Sequence, residues 1–230
     1  MNDVKRAEHN TLLDWVIHEL SGPLTAISGY AEIAAGEETD PEEKQEAVRI
    51  IRAESARLLR LAGEIRSMAR ISAGKEIRLR PEAFDLGAAA EHAAAVAKMS
   101  APSYRYVVEA PPGTAVFADR DKTLEALLNL LSNSAKYSRR QSSIRLRTGV
   151  REGFGFAEVS DQGCGIAPED IPKIFTLGER LDAPLHTDGR GIGLFLVSRL
   201  AEAMKGKILV ESSPGAGSRF TLLLPLAQRD

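Results

Sequence analysis

Residues 127–137 run Leu127-Leu128-Asn129-Leu130-Leu131-Ser132-Asn133-Ser134-Ala135-Lys136-Tyr137, a helical pattern with two unlike faces. Asn129, Asn133 and Lys136 follow one another at steps of four and three and share a face, with Tyr137 beside them, while leucines fill the other. Amide oxygens are hard ligands suited to Mg²⁺, and lysine offers a point charge to phosphate. Taken singly, the pattern is also that of a solvated helix face.

Two glycine-bearing strings lie downstream. Phe156-Ala157-Glu158-Val159-Ser160 leads into Asp161-Gln162-Gly163-Cys164-Gly165-Ile166. A carboxylate at the end of a buried strand can accept the exocyclic amine of adenine, and the glycines let the backbone approach the base. Alone, the string reads more readily as a tight turn after a strand. The other is Asp188-Gly189-Arg190-Gly191-Ile192-Gly193-Leu194, opening a helix that runs through Leu200. Glycines at a helix start expose N–H groups to an anion, and the helix dipole favours phosphate there. A dinucleotide site would need a strand leading into the glycines, whereas here they follow the polar segment 176–188.

In order and spacing the asparagine helix, the D-x-G-x-G turn, Ile174-Phe175, the G-x-G-x-G helix start and Gly217-Ser218-Arg219-Phe220-Thr221-Leu222-Leu223-Leu224-Pro225 resemble the N, G1, F and G2 boxes of histidine kinases over residues 119–225. The resemblance implies the Bergerat ATP fold. It places Asn129 and Asn133 at Mg²⁺ and the phosphates, Lys136 at the phosphates and Tyr137 at the adenine ring. Asp161 would take the adenine amine, with Gly163, Gly165 and Ile166 at its floor. Gly189, Gly191, Gly193 and Leu194 would border the phosphates, under a lid of residues 176–188. Arg190 either reaches a phosphate or is solvated; Thr221 either bonds near the adenine or is only a good β-former. ATPases of this fold carry a glutamate base where this chain has Asn129. Asparagine cannot take a proton, so the resemblance points from hydrolysis toward transfer to an acceptor on protein.

The acceptor is sought among His9, His18, His92 and His186. Residues 5–73 read as two long helices. Leu13, Ile17, Leu20, Leu24, Ile27, Ala31 and Ala34 form one apolar stripe; Val48, Ile51, Ser55, Leu58, Ala62, Ile65 and Met68 form the other. Between them Asp40-Pro41-Glu42-Glu43 has the form of an N-cap, a first-turn proline and a capping-box glutamate. His18 lies about 200° around from Leu20, off the stripe. Its setting, His18-Glu19-Leu20-Ser21-Gly22-Pro23-Leu24, resembles the H-box of the commonest histidine kinase class. By that resemblance His18 receives the γ-phosphoryl group, Glu19 orients the ring or takes its proton, and a response regulator is the next acceptor. The family's threonine or asparagine before the proline, tied to dephosphorylating the partner, is Gly22 here; weak phosphatase activity is expected. Gly22-Pro23 also weakens the helix, as a hinge or as a static kink.

The remaining composition is permissive. Of 230 residues, 43% are hydrophobic and 27% charged, and the formal net charge of −2 gives no reason to expect nucleic acid. One cysteine excludes an internal disulfide. No apolar run approaches the ~20 residues that span a bilayer, and the first residues lack the apolar stretch of a signal peptide, so a cytoplasmic chain without membrane contact is expected. The expected fold is multi-domain, α and α+β. A hairpin over 1–73 pairs with a second copy as a dimeric four-helix bundle, a linker spans 74–80, and an α/β-sandwich ATP domain spans 81–230. Strands are expected at 104–109, 143–150, 154–160, 207–211 and 218–224, and helices near 85–98, 121–137 and 190–204. The competing fold is a hairpin docked on its own second domain. Competing functions are a phosphotransfer scaffold without ATP, a small ATPase and a serine kinase.

Overall fold

A computed structural model describes residues 2–37, 39–179 and 191–228, with side chains described for these except 2–15, 18, 19, 60, 64 and 72. The chain forms two compact units, divided between Lys75 and Glu76.

The first unit is a helical hairpin of α1 (Asn2–Ala35) and α2 (Pro41–Ser72). Asp40 caps α2, and Pro41 takes the first helical position, where its missing N–H costs nothing. The Asp40 carboxylate accepts from the N–H of Glu42, over a long 3.5 Å, and not from that of Glu43 as a capping box requires. Ala47, Leu61 and Met68 of α2 are buried within the hairpin, as is Pro23 of α1. The sequence stripes are nevertheless split. Ile17 and Leu24, one heptad apart on α1, stay 64% and 52% exposed, and Val48 and Leu59 on α2 stay 47% and 77% exposed. Each helix therefore keeps an apolar edge that its hairpin partner does not cover. Helix α1 runs unbroken through Gly22-Pro23. Around the proline, Ser21 Oγ donates to the Ile17 carbonyl at 2.7 Å and Thr25 Oγ1 to the Ser21 carbonyl at 2.9 Å.

The second unit contains a five-stranded mixed sheet in the order β2-β4-β5-β7-β6 and a two-stranded ribbon, β1-β3. The sheet strands are β2 (Arg105–Glu109), β4 (Ser143–Arg151), β5 (Phe154–Ser160), β6 (Lys207–Ser213) and β7 (Gly217–Pro225). Only β2 and β4 pair in parallel. Alternate residues face opposite sides of a strand. On one side Ile144, Leu146, Ala157, Val159, Leu222 and Leu224 are fully buried, and there α3 (Leu86–Ser100), α4 (Arg120–Tyr137) and α5 (Gly193–Ala203) pack. The opposite side carries Arg147, Glu158, Arg219 and Glu211, joined in ion pairs of 3.2 to 3.7 Å.

The ribbon strands β1 (Pro81–Asp85) and β3 (Ala115–Asp119) do not stand out in the sequence. Each ends in an aspartate that caps the following helix. Asp85 Oδ1 accepts from Ala88 N–H at 2.9 Å, and Asp119 Oδ1 from Lys122 N–H at 3.0 Å. Their antiparallel pairing sets the starts of α3 and α4, and α4 carries the asparagines.

Candidate nucleotide site

Leu127, Leu130 and Leu131 are fully buried on the inner face of α4, each worth roughly 1.5–3 kcal/mol of burial. This pins the helix's rotation and turns Asn129, Asn133 and Lys136 to one shared side. Asn129 is only 8% exposed, and its Nδ2 donates to the Glu125 carbonyl at 3.0 Å. With the amide nitrogen committed, Oδ1 faces the start of α5. A Cβ built on Gly193 would stand 2.8 Å from Asn129 Oδ1 and 3.7 Å from Asn133 Nδ2. Among the described residues no side chain caps α5, and its first N–H groups lie beside the two asparagines, an arrangement that suits an anion. The helix starts at Gly193 rather than near residue 190, because Gly191 has a positive φ of 67°. A Cβ there would lie 2.0 Å from the Glu179 carbonyl oxygen.

About two turns along α4, its C-terminal end meets the loop after β5. The Cys164 N–H donates to the Tyr137 carbonyl at 3.3 Å, and Ser138 bridges Gly163. Gly163 has no room for a side chain, since a Cβ would be 2.5 Å from the Tyr137 carbonyl oxygen. At Gly165 (φ 70°) a Cβ would come closer still, 1.9 Å from the Ser213 carbonyl oxygen. Ile166 N–H donates to Ser212 Oγ at 2.8 Å, which in turn donates to the Gly217 carbonyl at 2.8 Å.

Asp161 sits at the centre of this loop, on the helix-facing side. Its Oδ1 accepts from the N–H groups of Gly163 at 2.8 Å and Ser218 at 3.2 Å, and its Oδ2 from the Ser134 hydroxyl at 3.1 Å. Burial pushes the carboxyl pKa up, and those three donors pull it down, with burial the larger effect. A carboxylate so held is a fixed acceptor at the mouth of a glycine-lined loop.

The residues singled out in the sequence therefore fall into two connected clusters on α4. Asn129, Asn133 and Gly193 form one, with Leu194 next along α5 and Gly191 just before it. Tyr137, Asp161, Gly163, Gly165 and Ile166 form the other, and Lys136 lies half-buried on the stripe leading to it. Thr221 joins neither. It pairs with Glu158 and Leu209 in mid-sheet, and by alternation it faces away from the helices. The residue of β7 that reaches Asp161 is Ser218, through its N–H. Ser134 and Ser212 carry no signal in the sequence, because a serine that bonds across elements is indistinguishable there from a solvated one. Gly189, Arg190 and residues 180–188 of the expected lid (176–188) lie outside the described residues, as do the side chains of His18 and Glu19.

Both units of the chain resemble known proteins. Residues 118–228 match the family described as "Histidine kinase-, DNA gyrase B-, and HSP90-like ATPase", and residues 9–74 match the "His Kinase A (phospho-acceptor) domain". Sensor-like histidine kinase SenX3 of Mycolicibacterium smegmatis is 32% identical over 214 residues, covering 91% of this chain and 56% of that protein. Sensor protein SrrB of Staphylococcus aureus is 30% identical over 230 residues, covering 91% of this chain and 37% of that protein. The chain thus spans about half or less of these relatives. Among solved structures, full-length ShkA with AMPPNP superposes with a TM-score of 0.60 at 24% identity, covering 96% of this chain and 46% of that one. Acinetobacter baumannii histidine kinase AdeS gives 0.56 at 22% identity, covering 92% of this chain and 98% of that one. At these identities the likeness is one of fold.

Proposed function

Because this chain belongs to the histidine kinases, through its phospho-acceptor and ATPase domains, we propose that it binds ATP in the α4–α5 site and phosphorylates its own His18. The observation that carries the reading is the placing of Asn129 and Asn133 against the start of α5 at Gly193. Two amide groups beside the first N–H groups of a helix suit a triphosphate. No carboxylate stands at position 129 to activate water.

In the proposed reaction a ring nitrogen of His18 attacks the γ-phosphorus. The bond from that phosphorus to the β-γ bridging oxygen breaks, ADP leaves with the electron pair, and the ring proton passes to Glu19. Asn129 and Asn133 orient the phosphates, and Lys136 adds positive charge along them. Tyr137 covers the adenine, and Asp161 accepts its amine. Gly163, Gly165 and Ile166 floor the base, and Gly189, Gly191, Gly193 and Leu194 border the phosphates; Arg190 is an additional phosphate contact.

Mg²⁺ fits this donor set. Among the described residues no group of three or more His, Cys, Asp or Glu side chains could hold a metal. An ion that takes one or two protein oxygens and completes its shell with phosphate and water needs none. Asn133 is the proposed protein ligand, with Asn129 as the second. The ion would neutralise charge on the transferring phosphoryl group.

The exposed edges of α1 and α2 support a homodimer through a four-helix bundle, with the division 1–73 hairpin, 74–80 linker and 81–230 ATP domain. The phosphoryl group then passes to an aspartate on a response regulator receiver domain, as in two-component signalling, and Gly22 leaves the reverse, phosphatase reaction weak. No helix among the described residues is long and apolar enough to cross a membrane. We place this portion in the cytoplasm, as the catalytic part of a longer sensor.

Incubation with γ-labelled ATP and Mg²⁺ tests the reading. Acid-labile, base-stable label on the wild type, absent from His18→Ala, is expected. Equal labelling of the variant would overturn it.

A further inference from the structure

The two oxygens of Asp161 are used unequally. Oδ1 accepts two main-chain N–H groups, from Gly163 and Ser218, while Oδ2 accepts the single hydroxyl of Ser134 at 3.1 Å. A carboxylate offers about four lone-pair sites in all. Oδ1 is therefore filled, and Oδ2 keeps one acceptor site. Ser134 is 1% exposed and lies on α4 directly after Asn133. A serine inside a helix commonly turns its hydroxyl back to the carbonyl one turn earlier. Here the hydroxyl crosses instead to the loop after β5.

We propose that Ser134 is a positioning residue that sets the purine specificity of the site. By donating to Oδ2 it holds Asp161 as an ionised acceptor, with one lone pair left for the exocyclic amine of adenine. Guanine carries a carbonyl oxygen at that ring position, so it would set an acceptor against an acceptor and be refused. The inference rests on the ATP reading above and adds to it a residue on which the choice of base depends. Without Ser134 the half-buried carboxyl loses one of three donors and protonates more readily. A protonated carboxyl can donate, and a donor tolerates the guanine carbonyl.

The test is calorimetric titration of the full chain with Mg²⁺ and each of ATP, GTP and purine riboside triphosphate, which has only hydrogen at the ring position of the amine. Wild type and Ser134→Ala are compared at neutral pH and across an acidic series. Alanine is smaller and a better helix former than serine, so the variant keeps its fold. A hydrogen bond to a charged group supports a loss of roughly ten- to a hundredfold. Ser134→Ala is expected to weaken ATP about tenfold and purine riboside triphosphate less than twofold. The preference for ATP over GTP should fall about tenfold, and ATP binding should fail at a higher pH than in the wild type. Equal losses on ATP and purine riboside triphosphate mark a merely structural role and overturn the proposal, as does unchanged ATP affinity. A wild type that binds none of the three overturns the ATP reading itself, and this inference with it.

Discussion

The Asn129 carboxamide oxygen closes over Gly193 so tightly that a Cβ there would stand 2.8 Å from it. The amide cannot swing clear without giving up its 3.0 Å bond to the Glu125 carbonyl. Gly193→Ala should therefore displace Asn129 and weaken ATP about tenfold or more. Stability should barely change, because alanine gains about 1 kcal/mol over glycine in a helix. Titration calorimetry paired with a thermal melt checks this. An alanine variant that binds ATP like the wild type would refute the placing of Asn129 at the phosphates.

Gly165 and Gly215 have similar positive φ, 70° and 78°, and unlike surroundings. A Cβ on Gly165 meets the Ser213 carbonyl oxygen at 1.9 Å, while one on Gly215 meets nothing within 4 Å. Gly215→Ala should cost about 1 kcal/mol of backbone strain. Gly165→Ala should cost more than about 3 kcal/mol, since backbone must move as well. Denaturant midpoints of the two variants give the comparison; equal midpoints would contradict the packing.

Burial raises the folded-state pKa of Asp161 above its ordinary value of 3.8. In the window above 3.8 the folded chain binds more protons than the unfolded one, so this group's contribution falls as pH rises through that window. Ionised Asp161 then weighs against the fold at neutral pH. Asp161→Asn keeps an oxygen for Gly163 and Ser218 and turns its amide toward Ser134. Its melting temperature at neutral pH should be no lower than the wild type's, with ATP binding at least about a hundredfold weaker. Any advantage in melting temperature should shrink as pH falls toward 4.

Asp85 has the opposite sign. The N–H groups of Gly113 and Ala88 hold its carboxyl below 3.8. Its contribution is present above 3.8 and is lost as pH falls through the lower, folded-state value. Asp85→Ala should cost about 1 kcal/mol at neutral pH, the usual worth of an N-cap, and less in acid. A pH series of melts, with the gap to wild type constant throughout, would count against this cap.

A side chain on Gly22 meets nothing within 4 Å. Gly22→Ala should stabilise the hairpin by roughly 0.5–1 kcal/mol. Gly22→Thr should fit as easily and speed the loss of phosphate from a phosphorylated receiver domain in the presence of ADP. No gain in that rate, against a slow wild type, would separate Gly22 from the phosphatase reaction.

The local chemistry of this protein was set out along the chain. Periodic leucines announced α4, and the glycine strings announced the turns at Asp161 and Gly191, because these signals depend only on neighbours a few residues away. The order of those strings sufficed to identify the family. The ribbon of β1 and β3 was not legible, since two five-residue strands far apart in sequence acquire meaning only when they pair. Thr221 and Ser218, both in one strand, were separated only by register, which turns Thr221 away from the helices and brings the Ser218 N–H to Asp161. Tertiary structure likewise decided that Asn129 Oδ1 faces Gly193, that Ser134 reaches Asp161, and that only part of each hairpin stripe is covered. A sequence specifies which groups are available and their local spacing. Which of them meet depends on long-range packing, where a one-residue shift in a strand or a rotation of α4 would replace one partner by another.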